Sequence, residues 1–437
     1  MFKETSKELL DFLSKSPTAF HAVENYRQIL NADGFKELLE SEHWDIVPGG
    51  KYYVTRNNTS ILAFKVGTKL DNYSFNIVTS HTDSPTFKVK ENAEIEVKNK
   101  YTQLNTEGYG GMLCATWLDR PLSIAGRVLV SEGNSIVTKL LNIDRDLLMI
   151  PNVAIHMNRA ANDGFKYNLQ VDPLLSAGDD RQKDFKQILA DELGVKKEDI
   201  LGHDLYLYNR MAPSIWGANE EFISAGHLDD LQCGFASLKA LLAGYNDESI
   251  DIMACFDNEE VGSGTKQGAD STLLRDTLTR INSALGKTEE DYYRALASSF
   301  MLSSDNAHAV HPNHPEHTDA TNCTYMNEGV VVKSHAGQKY TSDGVSMAVV
   351  KALASGADVP LQYFANRSDK AGGSTLGNIA MAQASMNAVD IGLPQLAMHS
   401  SYETAGIKDT YYAISLMKAL FDSHIQETST HSLEIKR

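Results

Sequence analysis

Four apolar runs in this 437-residue chain stop at polar clusters of one chemical kind. SFNIVTS ends at His81-Thr82-Asp83, SIDIMACF at Asp257-Asn258-Glu259-Glu260, SFMLSS at Asp305-Asn306-Ala307-His308, and LPQLAM at His399-Ser400. A fifth cluster, His227-Leu228-Asp229-Asp230, sits where a predicted helix begins. Imidazoles and carboxylates meeting in one place suit Zn or Mn. Charge favours a pair of ions, because two His, two Asp and one Glu supply three negative charges against four positive ones. A bridging hydroxide restores neutrality, and paired ions about 3.5–4 Å apart both polarise a carbonyl and acidify a shared water. That is hydrolytic chemistry. Each piece alone has a plainer account. His-x-Asp arises by chance, Asp229 or Asp305 can cap a helix, Glu259-Glu260 can be a solvated pair, and His399 a core histidine. Their conjunction carries the weight.

The elements that must position these residues follow from pattern. Residues 3–40 read as helical, with Leu9, Leu10 and Phe12 on one stripe. KYYVT, ILAFKV and SFNIVTS read as strands within 51–80. From about 86 to 225 short β-rich pieces dominate, with one helix near 182–194. After 228 the chain alternates. Helices are predicted at 229–243, 268–283, 343–355, 374–385 and 409–422, and buried strands at 250–256, 299–304, 329–333, 361–365 and 394–398. Such alternation predicts an α/β fold, a mixed, largely parallel sheet flanked by helices. If the four runs are neighbouring parallel strands, their carboxyl ends converge, where sites form in open α/β sheets. The division expected is one α/β unit of 1–85 plus 228–437, with a β-rich unit of 86–227 inserted. The tail ETSTHSLEIKR is expected to fray.

Composition removes other classes. Hydrophobic residues at 42% and charged residues at 22% describe a globular chain. Lys plus Arg is 40 and Asp plus Glu 57, a net charge of −17 that repels phosphate backbones and anionic lipid, so no nucleic-acid or membrane partner is expected. No stretch reaches the ~18 uninterrupted apolar residues of a membrane span, and the first residues lack the apolar core of a signal peptide. Cys114, Cys233, Cys255 and Cys323 form no CxxC, which fits a reducing, cytoplasmic setting.

The stretches SHTDSPTFKVK, YGGMLCATWLDRPLSIAGRV, HLDDLQCGFASL, FDNEEVGSGTKQGADS, SSDNAHAVHPNH and AMHSSYE are specific. Through them the chain resembles, over nearly its whole length, the aspartyl aminopeptidase family of dinuclear zinc metallopeptidases, which includes yeast vacuolar aminopeptidase I. The resemblance implies a metal-dependent aminopeptidase that hydrolyses the N-terminal residue, Asp or Glu, from peptides. It implies two zinc ions per subunit, with Co or Mn also acceptable. His81, Asp229, Glu260, Asp305 and His399 then correspond to the ligands, with Asp229 bridging. Asp83 would orient the His81 imidazole, and Glu259 would be the general base. On the substrate side, Lys333 in EGVVVKSHAGQKY matches a lysine associated with an acidic first side chain. His156 in PNVAIHMNR matches a histidine that reaches a neighbouring subunit's site, and Gly373 in DKAGGSTLG could offer its backbone N–H. The family assembles as dimers through the inserted domain and further into a tetrahedral dodecamer. A same-fold aminopeptidase preferring neutral or basic residues is the alternative. One departure is visible: Tyr402 stands before Glu403 where the family often has Arg.

Other patterns fail on spacing. His308, His311, His314 and His317 recur every three residues, but Pro312 and Pro315 interrupt any helix that would align them. GKT at 286–288 lacks the upstream Gly of a phosphate loop, and GSGTKQG does not match a dinucleotide fingerprint.

Overall fold

The computed structural model describes residues 1–159, 172–177 and 184–437. A nine-stranded sheet takes strands from both halves of the chain. At its centre Ser74–His81 lies between Ser249–Phe256 and Phe300–Ser304, parallel to both. Every residue of these three strands is buried. Both faces are covered by helices, which is why the strands read as near-continuous apolar runs rather than alternating ones. Five of the sheet's eight pairings are parallel, as the alternating pattern predicts.

One face packs against Phe2–Ser14, Ala19–Ala32, Leu228–Ala243, Gly344–Gly356 and Asp409–Phe421. Leu273–Ala284 and Leu376–Gln383 cover the other. Burial of these two apolar faces, at roughly 25 cal/mol per Å², fixes where the strands end and so where the polar clusters meet.

A six-stranded antiparallel sheet spans Thr86–Val97, Tyr101–Tyr109, Leu122–Glu132, Ser135–Asn142, Leu174–Ala177 and Ile200–Asn209. It has its own core around Phe87, Trp117, Ile124 and Leu205, capped by Phe185–Leu193. Residues 182–183 of the helix expected there lie outside the described residues. A third sheet pairs Phe222–Ala225 with Glu403–Gly406, matching Ala225 to Glu403. It thereby brings the chain entering Asp229 beside the loop that carries His399.

Four expectations change. Lys36–Leu38, within the stretch read as helical, is a strand parallel to Lys51–Arg56. Residues 394–398 do not form a strand of the large sheet. Pro394–Leu396 runs antiparallel to Glu403–Gly406 in the third sheet, and Asn387–Gly392 takes the place beside Phe300–Ser304. Two short apolar runs lie back to back here, and each forms its own strand. The tail is not frayed. His424–Ser429 and Ser432–Lys436 form a hairpin whose Ile425 is buried and whose Leu433 and Ile435 pack on the core. A helix, Glu289–Ala297, was not expected.

Candidate active site

The convergence expected at the carboxyl ends is present for three of the four runs. Phe256 pairs with His81 in register, so the turn after Phe256 lies beside the end of the central strand. Asp305 follows the neighbouring strand Phe300–Ser304 directly. Asp229 enters from the start of Leu228–Ala243, where Asp229 and Asp230 are not helical and the peptide between them is cis. His399 arrives on a loop with φ 65°. His227 and Asn258 also occupy the left-handed region, a cost that persists only where surrounding contacts fix the backbone.

Asp229 is the centre of this arrangement. Its Oδ1 lies 3.4 Å from His81 Nε2 and its Oδ2 3.4 Å from His399 Nε2. Glu260 Oε1 is also 3.4 Å from His399 Nε2. Ligand-type atoms of His81, Asp229 and Asp305 all lie within 4.8 Å of one another, as do those of Asp229, Glu260 and His399. Asp229 belongs to both groups. A third grouping joins His81, Glu259 and Glu260. His399 retains 30% side-chain exposure, whereas His81, Asp229 and Glu260 retain 5% or less, so the cluster opens to solvent on the His399 side.

The imidazoles are aimed from behind. His81 Nδ1 is 3.1 Å from the Asp83 carbonyl and 3.4 Å from its Oδ1. His399 Nδ1 is 2.7 Å from the Gly111 carbonyl. Each ring thus presents Nε2 to the carboxylates, as a metal-binding histidine does.

Burial dominates the protonation of the acids. It lifts the Glu259 carboxyl to about 7, with Asp305, Asp83 and Asp229 adding repulsion against the pull of His81. It lifts Glu260 to about 9 and Asp305 to about 6, the latter despite Lys333. The His399 imidazole is raised to about 10, where Asp229 and Glu260 outweigh burial. So many buried carboxyl groups crowded together call for added positive charge. Asp229 Oδ1 and Glu260 Oε1 are buried without a hydrogen bond. The donor set of imidazole nitrogens and carboxylate oxygens fits zinc.

Residues 12–421 match the model of the aminopeptidase I zinc metalloprotease (M18) family. The chain belongs to the M18 family. This M18 zinc aminopeptidase, a metallo-exopeptidase, is 48% identical over 425 residues to a probable M18 family aminopeptidase 2 of Clostridium novyi, covering 95% of this chain and 98% of that one. It is similar to the solved Ape4 in complex with Nbr1 (TM-score 0.93, 35% identity, 96% of this chain and 86% of that chain). It is also similar to the mApe1 dodecamer of S. cerevisiae (TM-score 0.83, 28% identity, 96% and 97%).

In this M18 aminopeptidase Lys333 is buried rather than free. Its Nζ donates to the Asn306 carbonyl at 2.8 Å and lies 3.8 Å from Asp305 Oδ2. Burial pulls its pKa down, but Asp305 and Tyr340 hold it above the ordinary lysine value. His156 sits on an exposed turn and Gly373 on an exposed loop. Among the described residues, no hydrogen bond or ion pair joins either to the cluster.

Sequence reasoning missed four contributors. Tyr109 donates to Asp83 Oδ2 at 2.7 Å. Gly111 accepts from His399, as above. Asp230 Oδ2 accepts the His81 N–H at 3.1 Å. Glu403 accepts the N–H of His399 at 2.8 Å and of Asp229 at 3.0 Å. The YGG run and the Glu following His399 were visible as motif residues, but nothing in a sequence states which backbone group they hold. Tyr402, in the position where the resemblance leads one to expect Arg, donates to the Ala212 carbonyl at 2.8 Å.

Among the described residues no helix is long and apolar enough to cross a membrane.

Proposed function

We propose that this aminopeptidase removes an N-terminal Asp or Glu from peptides, with two zinc ions held by His81, Asp229, Glu260, Asp305 and His399. The observation that carries it is Asp229, which belongs to two ligand groups and turns its two oxygens to two different imidazoles. Co or Mn also suits this donor set. Bound there, the pair would supply Lewis-acid polarisation of the scissile carbonyl and an acidified water. Asp83 holds the His81 ring in one tautomer. Glu259, half-buried with its carboxyl raised to about 7, accepts a proton from the attacking water and passes it to the leaving amine.

Lys333, a buried cation 3.8 Å from Asp305, is the residue proposed to meet an acidic side chain, because a buried carboxylate needs a paired cation. One observation favours the alternative, a preference for neutral or basic residues: the Lys333 charge is already engaged by Asp305. For assembly we propose a catalytic unit of 1–85 plus 228–437 and dimerisation through 86–227, then a tetrahedral dodecamer. The separate core of the six-stranded sheet and the likeness to a dodecameric relative support this. His156 would then reach a neighbouring site, and Gly373 would offer its N–H to substrate. Four free cysteines fit a reducing cytoplasm.

The test pairs a metal count with a panel of aspartyl, glutamyl, leucyl and lysyl chromogenic amides. Two zinc ions per chain and faster acidic amides are expected. One zinc per active chain would remove the paired-ion account. Faster leucyl or lysyl amides would remove the acidic preference.

A further inference from the structure

We propose that His314, Glu316 and His317 form a separate divalent-cation site on the surface, outside the catalytic cluster. The sequence argued against metal binding in HPNHPEH because Pro312 and Pro315 prevent a helix from aligning the imidazoles. The structure gathers them without one. Pro315–His317 is a single 3-10 turn with Pro315 at its start, and the turn folds His317 back towards His314. Proline suits that first position, since its missing N–H would have had no partner there.

The geometry is that of a ligand set. His314 Nδ1 lies 3.0 Å from Glu316 Oε1, and His317 Nε2 lies 3.9 Å from the same oxygen. One ligand atom from each of the three residues falls within 4.8 Å of the others. The His314 and His317 rings have centroids 5.7 Å apart. His311 stacks beside His314 at 5.2 Å, but its Nδ1 accepts the Asn313 N–H, so it packs against the site rather than joining it.

Two imidazoles and one carboxylate select zinc, nickel or cobalt over calcium or magnesium, which demand more oxygen ligands. The three side chains keep 57–62% exposure, so an ion reaches them without desolvating a core. Three protein ligands leave a position for water, as in open zinc sites, and such an ion exchanges freely. The Arg367 guanidinium beside the turn is already engaged. Arg367 pairs with both oxygens of Asp369 at 2.6 Å and bonds the Glu316 carbonyl rather than its carboxylate, whose Oε1 is shared only with His314 and His317 among the described residues. The same histidines border a cavity of about 250 Å³ that Lys370 and Met398 also line.

The experiment counts zinc in the full-length protein after equilibrium dialysis against micromolar free zinc. Wild type is compared with His314→Ala and with Glu316→Gln. The expected result is one zinc equivalent more in wild type than in either variant, with equal peptidase activity in all three. Equal zinc contents overturn the proposal. The readout is a difference between proteins with the same central cluster, so it does not depend on how many ions that cluster takes. Both substitutions are at exposed positions, and the second serves if the first perturbs the turn.

Discussion

The phenol of Tyr109 donates to Oδ2 of Asp83 at 2.7 Å, tying the six-stranded sheet to the cluster around Asp229. Asp83 also accepts the N–H of Glu259 at 3.1 Å and of Glu260 at 3.2 Å, while flanking His81 Nδ1. One carboxylate therefore fixes an imidazole and two acids. Burial and the charge of Asp83 raise the Tyr109 pKa, so it remains a donor. Tyr109→Phe removes that donor without changing shape. Partners behind a metal ligand are commonly worth about 10–100-fold in affinity. We expect zinc affinity to fall by that range, with kcat/KM lost at limiting zinc and restored by excess. A loss that excess zinc leaves in place would show Tyr109 acting on something other than the metal ligands.

Glu403 joins the two sides of the cluster through backbone rather than side chains. It holds the N–H of His399, whose φ is 65°, and the N–H of Asp229. An amide in its place offers one oxygen and turns an N–H₂ towards a backbone N–H. Leaving one buried donor unpaired costs about 1–3 kcal/mol. Glu403→Gln should accordingly lower the thermal midpoint and weaken zinc retention together. A variant as stable as wild type would mean that other contacts hold the His399 loop.

The gathering of these side chains was more legible than the scaffolding around it. His81, Glu259, Glu260 and Asp305 announced themselves because each follows a fully buried strand, and a sequence marks such strands plainly by unbroken apolar runs. His399 lies beside Asp229 and Glu260 by a route other than the one expected. LPQLAM was read as a fourth strand of the same kind, whereas Pro394–Leu396 belongs to a small antiparallel sheet and the large sheet uses Asn387–Gly392. Glu289–Ala297 carried a usable signal, a capping box between Thr288 and Asp291, that went unread. The C-terminal hairpin was hidden because its strands are half-buried and mostly polar, so that Ile425, Leu433 and Ile435 are the few apolar residues that report the packed face. Tyr109 and Glu403 could not be assigned from sequence, because their roles depend on which atoms the third dimension brings within 3 Å.

Glu259 sits in the turn Glu259–Val261 with its backbone N–H held by Asp83, so its side chain can be changed without moving the turn. Glu259→Gln keeps the volume and removes the proton acceptor. General acid–base catalysis contributes about 10²–10⁴-fold, and kcat should fall by that factor with zinc content and KM unchanged. Full turnover at full zinc content would exclude Glu259 as the base. Lost zinc would instead make it a ligand, consistent with its grouping beside His81 and Glu260.

Lys333 separates the two accounts of specificity. It is buried between Asp305 and the Asn306 carbonyl, with the Tyr340 ring 5.7 Å away. Removing one partner of a buried ion pair costs about 3–5 kcal/mol, so Lys333→Met should lose stability and overall activity whatever its role in substrate choice. The ratio of aspartyl to leucyl amide hydrolysis, taken within one variant, cancels that general loss. If Lys333 meets the acidic side chain, each factor of ten in the ratio represents about 1.4 kcal/mol of lost pairing, and a drop of at least about tenfold is expected. An unchanged ratio would leave Lys333 solely as the counter-charge of Asp305 and move the acidic preference to other residues or remove it.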